Sequence, residues 1–509
     1  MGNNISTIEM DNSTMAMAVG ATILTVSILP SIFSGVPTYK KPAVVSKRPT
    51  ETPKESSIEL RQYFRQGDTF SYQWRMAQLQ GILRLIEENI DAMSAAAKSD
   101  INKPQADMFL EKQAMIADIK LMMKGLKGWM KPHAVGMPLW MMPGNSWVQA
   151  DPLGTVLILG PWNYPFTLTL LPLAGALAAG NCAVVKPSEL APAQAAIIAE
   201  LLPKYVDGRA VRVYTGGAAL SEELVKQTWD KVFYTGGGVV GSLIAQQCAK
   251  TLTPVALELG GKSPCFIAKD AYLPAASKRI VQGKFVNAGQ TCIAPDYVLV
   301  ERAVLPQFIE AIKKQIVVNF GKDPQDSEFY CRIINDNHFK RVTNLLKGED
   351  IVFGGGFDAA TKYVAPTLVM VNDDSSELMT HEIFGPILPI RVIDSIDEGI
   401  DLVNSRPKPL ALYVFTASSS VSNYVLNRTS SGSACVNDTV FQYLNPYLPF
   451  GGVGPSGQGA YHGESSFIEF SHKKSVLFKS NWFDAPLRYL PYVNQKWVQN
   501  IFEFLMGMG

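Results

Sequence analysis

Excess charge, paired cysteines and clustered histidines are all missing from this sequence, and each absence removes a class of function. Lysine and arginine number 46 against 45 acidic residues, a formal net charge of +1. With no basic surplus to neutralise a phosphate backbone, a nucleic-acid partner is not expected. The six cysteines (Cys182, Cys248, Cys265, Cys292, Cys331 and Cys435) never occur as CxxC. That scatter suits neither a zinc site nor a disulfide framework, and points to reduced thiols in a reducing compartment. Five histidines, none in ligand spacing, argue against a catalytic metal.

Charge is also absent from Met15 to Ser34, a mostly apolar stretch diluted by Gly20, Thr22, Thr25, Ser27, Pro30 and Ser31. Roughly 20 uncharged residues are about enough to cross a bilayer. Glu9 and Asp11 precede it and Lys40, Lys41, Lys47 and Arg48 follow, the reverse of a secretory signal. This asymmetry keeps the downstream body in the cytoplasm. The opening MGNNIS also fits myristoylation at Gly2, with Ser6 in the last position. Lipidation would leave the N-terminus cytosolic whereas a spanning segment would send it across, so the two readings are alternatives. The expectation is membrane association with a cytosol-facing body, through residues 15–34, through the C-terminal tail, or both.

A chain of 509 residues exceeds one hydrophobic core, so two or three domains are expected. Residues 36–58, rich in Pro, Lys and Ser, read as a linker. From Ile58 to about Lys131 apolar residues recur three and four apart, the helical period. A Pro- and Met-rich crossing, KPHAVGMPLWMMPGN, is too irregular for a helix. Short apolar runs then alternate with helix-like stretches: TVLILG, CAVVK, AVRVY, KVFY and PVALEL read as strands. Such a rhythm predicts an α/β fold with a parallel sheet covered on both faces. Ligands of these sheets bind beyond the carboxyl ends of the strands, where the glycine and polar clusters are expected to fall. A second α/β segment runs from Gly260 to roughly Phe450.

Five features carry chemistry. Cys292, in NAGQTCIAPDY, sits in an irregular polar loop, where a cysteine can be a nucleophile rather than a small core residue. Glu258 ends an apolar strand ahead of Gly260 and Gly261. It reads either as an ion-pair partner, for instance of Lys262, or as a general base whose pKa burial raises. In PWNYP, Pro161 and Pro165 bracket a turn that fixes Asn163, either structurally or as an oxyanion donor. In TGGGVVG, Gly236 and Gly241 follow a strand and open a helix. Their spacing is not the dinucleotide fingerprint, yet backbone amides at a helix N-terminus can hold a phosphate. Lys186 and Glu189 of KPSE lie just past the strand CAVVK, placed to contact ribose hydroxyls.

Taken in order, PWNYP, KPSE, YTGGGVVG, LELGGKSP, NAGQTC, EIFGP and PFGGVGPSG resemble the aldehyde dehydrogenase superfamily over roughly residues 60 to 480. Cys292 lies 34 residues after Glu258 and 90 before Glu382, which also fits. The segment Leu448 to Leu477 resembles the class 3, or fatty aldehyde dehydrogenase, branch. The resemblance implies a Rossmann-like dinucleotide-binding domain (59–257, with part of a bridging β element near 135–152) and a second α/β catalytic domain (258–462). A bridging strand and tail (463–509) complete a small β oligomerisation element, and 1–58 is an N-terminal segment and linker. It further implies Cys292 as nucleophile, Glu258 as base, and Asn163 with the Cys292 N–H as oxyanion donors. Trp162, Lys186, Glu189, Gly236, Gly241, Glu382 and Phe384 would contact the cofactor, NAD with NADP also accepted. The substrate would be a medium- to long-chain aliphatic aldehyde, and the assembly a homodimer. A CoA-acylating relative and an inactive membrane-associated aldehyde-binding scaffold are the competing readings. One departure stands out: Gly237 occupies a position where the family more often has Ser or Asn.

Overall fold

A computed structural model describes residues 51–138, 141–482 and 496–507 of the chain. The apolar stretch 15–34, Gly2 and the first part of the C-terminal tail lie outside the described residues.

The helical region begins earlier than its periodicity suggests. Helix Pro53–Arg65 opens inside the stretch that reads as a linker, with Pro53 in the first turn. Thr52 accepts from the Glu55 N–H at 3.3 Å and the Glu55 carboxylate returns to the Thr52 N–H at 2.8 Å, a reciprocal cap. The Pro and Lys residues that suggest a linker are thus the start signal of a helix. Helices Tyr72–Glu88, Ile90–Ile101 and Gln105–Trp129 follow.

Besides a two-stranded ribbon of Phe357–Asp358 and Tyr363–Val364, three sheets organise the rest. The first has six strands in the order Gly457–Gln458, Val255–Glu258, Lys231–Thr235, Thr155–Leu159, Cys182–Lys186 and Val211–Val213. All are parallel except Gly457–Gln458, which pairs antiparallel with Val255–Glu258. Thr155–Leu159 and Cys182–Lys186 are buried at every position, as strands covered on both faces must be. Chain order reverses between Thr155–Leu159 and Lys231–Thr235, so the helices after them leave on opposite faces and a crevice opens at the carboxyl ends.

The second sheet runs Asp350–Phe353, Thr367–Met370, Ile387–Ile393, Tyr297–Glu301, Pro264–Ile267, Ala411–Phe415 and Ser433–Val436. Only Asp350–Phe353 is antiparallel. A third, small sheet pairs Gly144–Pro152 with His133–Ala134 and, in continuous register, with Ser471–Lys479.

The chain crosses from the carboxyl end of Val255–Glu258 to the amino end of Pro264–Ile267 within a few residues. The carboxyl ends of the first sheet therefore meet the amino ends of the second, and the site lies in that seam.

Candidate active site

One cleft of about 1390 Å³ is lined by nine of the ten residues singled out from the sequence: Trp162, Asn163, Lys186, Glu189, Gly236, Glu258, Cys292, Glu382 and Phe384. Gly241 is the exception. It is buried on the far side of its helix, where a Cβ would come within 2.7 Å of Leu259, so its absent side chain serves helix packing. The first sheet delivers its residues from carboxyl ends, as expected. Cys292 and Glu382 instead precede Tyr297–Glu301 and Ile387–Ile393, neighbouring strands of the second sheet, and so reach the cleft from amino ends.

The Cys292 loop is held by side chains distant in sequence. The Asn163 amide donates to Gln290 O at 3.0 Å, and the Asn287 amide donates to Asn163 O at 3.1 Å. The hydroxyls of Tyr164 and Thr291 share a hydrogen bond of 2.8 Å. Gln290 donates to Arg332 O at 3.0 Å and accepts from Ile334 N at 3.0 Å. An amide nitrogen carries two protons, and Gln290 O takes one of Asn163's, so a second donor of this cleft-lining residue is left over.

Cys292 is half-buried. Burial pushes its thiol well up, helped by the fields of Glu382 and Glu258, while the N–H groups of Cys292 and Ile293 oppose the rise. Glu258 is buried, and its Oε2 has no partner among the described residues. Burial, with the field of Glu469 second, raises its carboxyl well above the ordinary range. Lys262 is not its counter-ion: that ammonium pairs with Asp296 Oδ2 at 2.5 Å. The ion-pair reading of Glu258 with Lys262 is therefore set aside.

The cleft suits an elongated ligand bearing a diphosphate. Gly237 caps helix Gly238–Ala249, and neither Gly237 nor Gly238 has an atom within 4 Å of where a Cβ would stand. The first turn thus presents bare N–H groups to open space, the arrangement that binds phosphate. Buried Lys186 pairs with exposed Glu189 at 2.9 Å. The Glu382 carboxylate lies so close over Gly260 that a Cβ there would sit 2.2 and 2.3 Å from its oxygens. Burial and Asp296 push Glu382 up to about 8, against a backbone hydrogen bond from Gly261.

Sequence reasoning missed His338 and Arg341, which line the cleft, and the buried Lys284, which does not. His338 and Arg341 share helix Asp336–Asn344, one turn apart, and both line the cleft. The His338 ring lies 4.9 Å from that of Trp162, which also meets the Phe384 ring edge-on at 5.3 Å. Lys284 is fully buried with no hydrogen-bond partner among the described residues, and burial pushes its ammonium down to about 8. Helical spacing was the only local signal for the first two, and Lys284 had none.

The aldehyde dehydrogenase family profile matches residues 58–476. Aldehyde dehydrogenase family 3 member A2 of Mus musculus is 44% identical over 442 residues, which cover 86% of this chain and 91% of that one. The Rattus norvegicus protein named aldehyde dehydrogenase, dimeric NADP-preferring, is 42% identical over 421 residues, 82% of this chain and 93% of its own. A solved structure, the substrate-bound state of Staphylococcus aureus AldH, is similar with a TM-score of 0.85 at 38% identity, covering 89% of this chain and 100% of that one.

Proposed function

Because the chain belongs to the aldehyde dehydrogenase family, we propose that it oxidises medium- to long-chain aliphatic aldehydes to carboxylic acids, with Cys292 as nucleophile and Glu258 as base. The activity class is that of an NAD(P)-dependent aldehyde dehydrogenase. The observation carrying the residue roles is the convergence of Cys292, Glu258 and Asn163 with Lys186, Gly236 and Glu382 on one cleft.

When bound, a nicotinamide dinucleotide supplies a hydride acceptor, which no side chain here can replace. Lys186 and Glu189 would hold its adenosine ribose, Gly236 to Val240 its diphosphate, and Glu382 its second ribose, with Phe384 and Trp162 beside the ring. Glu189 opposes a 2′-phosphate and buried Lys186 attracts one, which supports use of both NAD and NADP, as does the NADP-preferring rat relative.

The Cys292 thiolate attacks the carbonyl carbon, and the free proton of the Asn163 amide with the Cys292 N–H meets the resulting oxyanion. Cys292 thus carries the carbon first as a thiohemiacetal and then as a thioester. Glu258 takes a proton from the water that attacks the thioester; the C–S bond breaks, and acid and thiol separate. The presence of Glu258 supports hydrolysis over transfer to CoA.

The six-stranded sheet would form the dinucleotide-binding domain (59–257) and the seven-stranded sheet the catalytic domain (258–462). The small sheet, with Leu477 and Phe478 exposed on its outer strand, supports a homodimer. Among the described residues no helix is long and apolar enough to cross a membrane. Membrane association is proposed through segment 15–34, through the C-terminal tail, or both; in that tail helix Lys496–Met506 exposes Trp497, Phe504 and Met506.

Turnover of hexanal and hexadecanal, with NAD or NADP and with or without CoA, tests this reading. The expected result is acid formation without CoA and a kcat/KM for hexadecanal at least equal to that for hexanal. Strict dependence on CoA would remove the hydrolytic role of Glu258, and no turnover of either aldehyde would remove the reading altogether.

A further inference from the structure

Phe384 adopts a backbone conformation that a bulky residue rarely takes, with φ at +44°. Such strain persists only where the surroundings over-determine it, and here the surroundings can be named. Arg341 donates from Nη1 to Ile383 O at 2.7 Å and from Nη2 to Phe384 O at 3.2 Å, one guanidinium spanning two successive carbonyls. Asp296, fixed by Lys262, accepts from Ile383 N at 3.1 Å. Val342, next to Arg341, lies against Gly385, where a Cβ would meet its methyl at 2.8 Å. His338 of the same helix presses on Trp162, which in turn packs edge-on against Phe384.

The same segment also reaches the nucleophile loop. Gln290 binds Arg332 and Ile334, just before the helix, and the Gly385 carbonyl abuts Gly289, whose Cβ would stand 2.3 Å away. Helix Asp336–Asn344 with its approach is thus the common footing of the loops bearing Cys292 and Glu382.

We propose that Arg341 is a positioning residue for cofactor binding: its two-pronged bond to the Ile383 and Phe384 carbonyls aims Glu382 and Phe384 into the cleft. It acts through those residues and touches no reacting atom. The proposal rests on reading this cleft as the dinucleotide site.

Its charge and its fork can be separated. Arg341→Met removes both, whereas Arg341→Lys keeps the charge and loses the planar pair of donors. NAD binding measured by calorimetry, without aldehyde, is the direct readout; KM and kcat follow with hexanal, and thermal unfolding reports the fold. Loss of two charge-assisted bonds should weaken NAD binding by about tenfold or more in Arg341→Met. KM for NAD should rise in step, while KM for hexanal and kcat at saturating NAD stay within about threefold. Arg341→Lys should recover part of the affinity and not all. Binding within twofold of the unmodified protein in both variants would overturn the proposal. So would full recovery in Arg341→Lys, which would assign the effect to charge alone, or equal losses toward NAD and hexanal, which would mark a general structural role. Should the unmodified chain bind neither NAD nor NADP, the cofactor reading of the cleft fails first and the proposal with it.

Discussion

At Glu258, burial and the proposed role as base pull in opposite directions. A base must be ionised to accept a proton, yet this carboxyl is shielded from water, lacks a partner on Oε2 and faces the field of Glu469. Its folded pKa is raised, so the ionised fraction grows only as pH climbs past the ordinary carboxylate range. The Cys292 thiol is raised as well, so both groups reach their working forms on the alkaline side. Turnover should therefore rise with pH through neutrality. Glu258→Gln removes the base and leaves Cys292 in place, so a burst of reduced cofactor near one per site should survive. Steady-state turnover should fall by about 10²- to 10⁴-fold, and stopped-flow absorbance separates the phases. Loss of the burst together with turnover would mean that Glu258 acts before the thioester forms. Cys292→Ser should abolish both.

At the scale of elements, helix Gly238–Ala249 shows two glycines with opposite tasks. Gly237 caps it in extended geometry, φ −75° and ψ 147°, which serine adopts freely, and open space lies where the side chain would go. Gly237→Ser should add a better N-cap, worth a few tenths of a kcal/mol, and a hydroxyl beside the proposed diphosphate site. The expected outcome is a KM for NAD lowered about two- to fivefold with a slightly higher melting temperature. Gly241→Ala places a methyl 2.7 Å from a terminal methyl of Leu259, which must shift. Crowding of about 1–3 kcal/mol is set against the ~1 kcal/mol an alanine gains over glycine inside a helix. Stability should therefore change by less than about 2 kcal/mol, while NAD binding weakens as the helix moves. Unchanged NAD binding in both would detach this helix from the cofactor. The strands here were legible from the sequence because strands buried on both faces read as unbroken apolar runs, and CAVVK matches Cys182–Lys186 end to end. Helix Pro53–Arg65 was obscured by its own Pro- and Lys-rich start. Of the site, the glycine turn, Glu258 and the cysteine loop left local marks. Arg341 left only its helical spacing from His338, since its bonds to Ile383 and Phe384 span 42 and 43 residues and exist only in the folded chain. The arrival of Cys292 and Glu382 at amino ends is a property of how two sheets meet, which no window of sequence contains.

At the scale of the whole molecule, near-neutral net charge hides a set of buried acids whose folded pKa values lie high. Asp118 is the clearest outside the proposed machinery. It sits on helix Gln105–Trp129, almost fully buried; Oδ1 accepts from Gly463 N at 2.7 Å, and Oδ2 has no partner among the described residues. Burial pushes it up to about 7, and the bond from Gly463 only partly offsets that. The folded chain therefore keeps this proton while the unfolded chain has already released it at an ordinary carboxylate value near 4. Stability from the group is complete below the unfolded value and is lost as pH rises toward 7, at up to about 1.4 kcal/mol per pH unit. Asp118→Asn keeps the acceptor for Gly463 and cannot titrate. Denaturant unfolding of both proteins between pH 5 and pH 8 isolates the term, because every other titrating group cancels in the difference. Relative to the unmodified chain, the variant should gain stability steadily from pH 5 to about pH 7 and hold that gain above it. Parallel pH profiles would show that Asp118 is already ionised in the fold, held by a partner such as water, and that the protein carries no buried acid at this crossing of helix Gln105–Trp129 with the 463 turn.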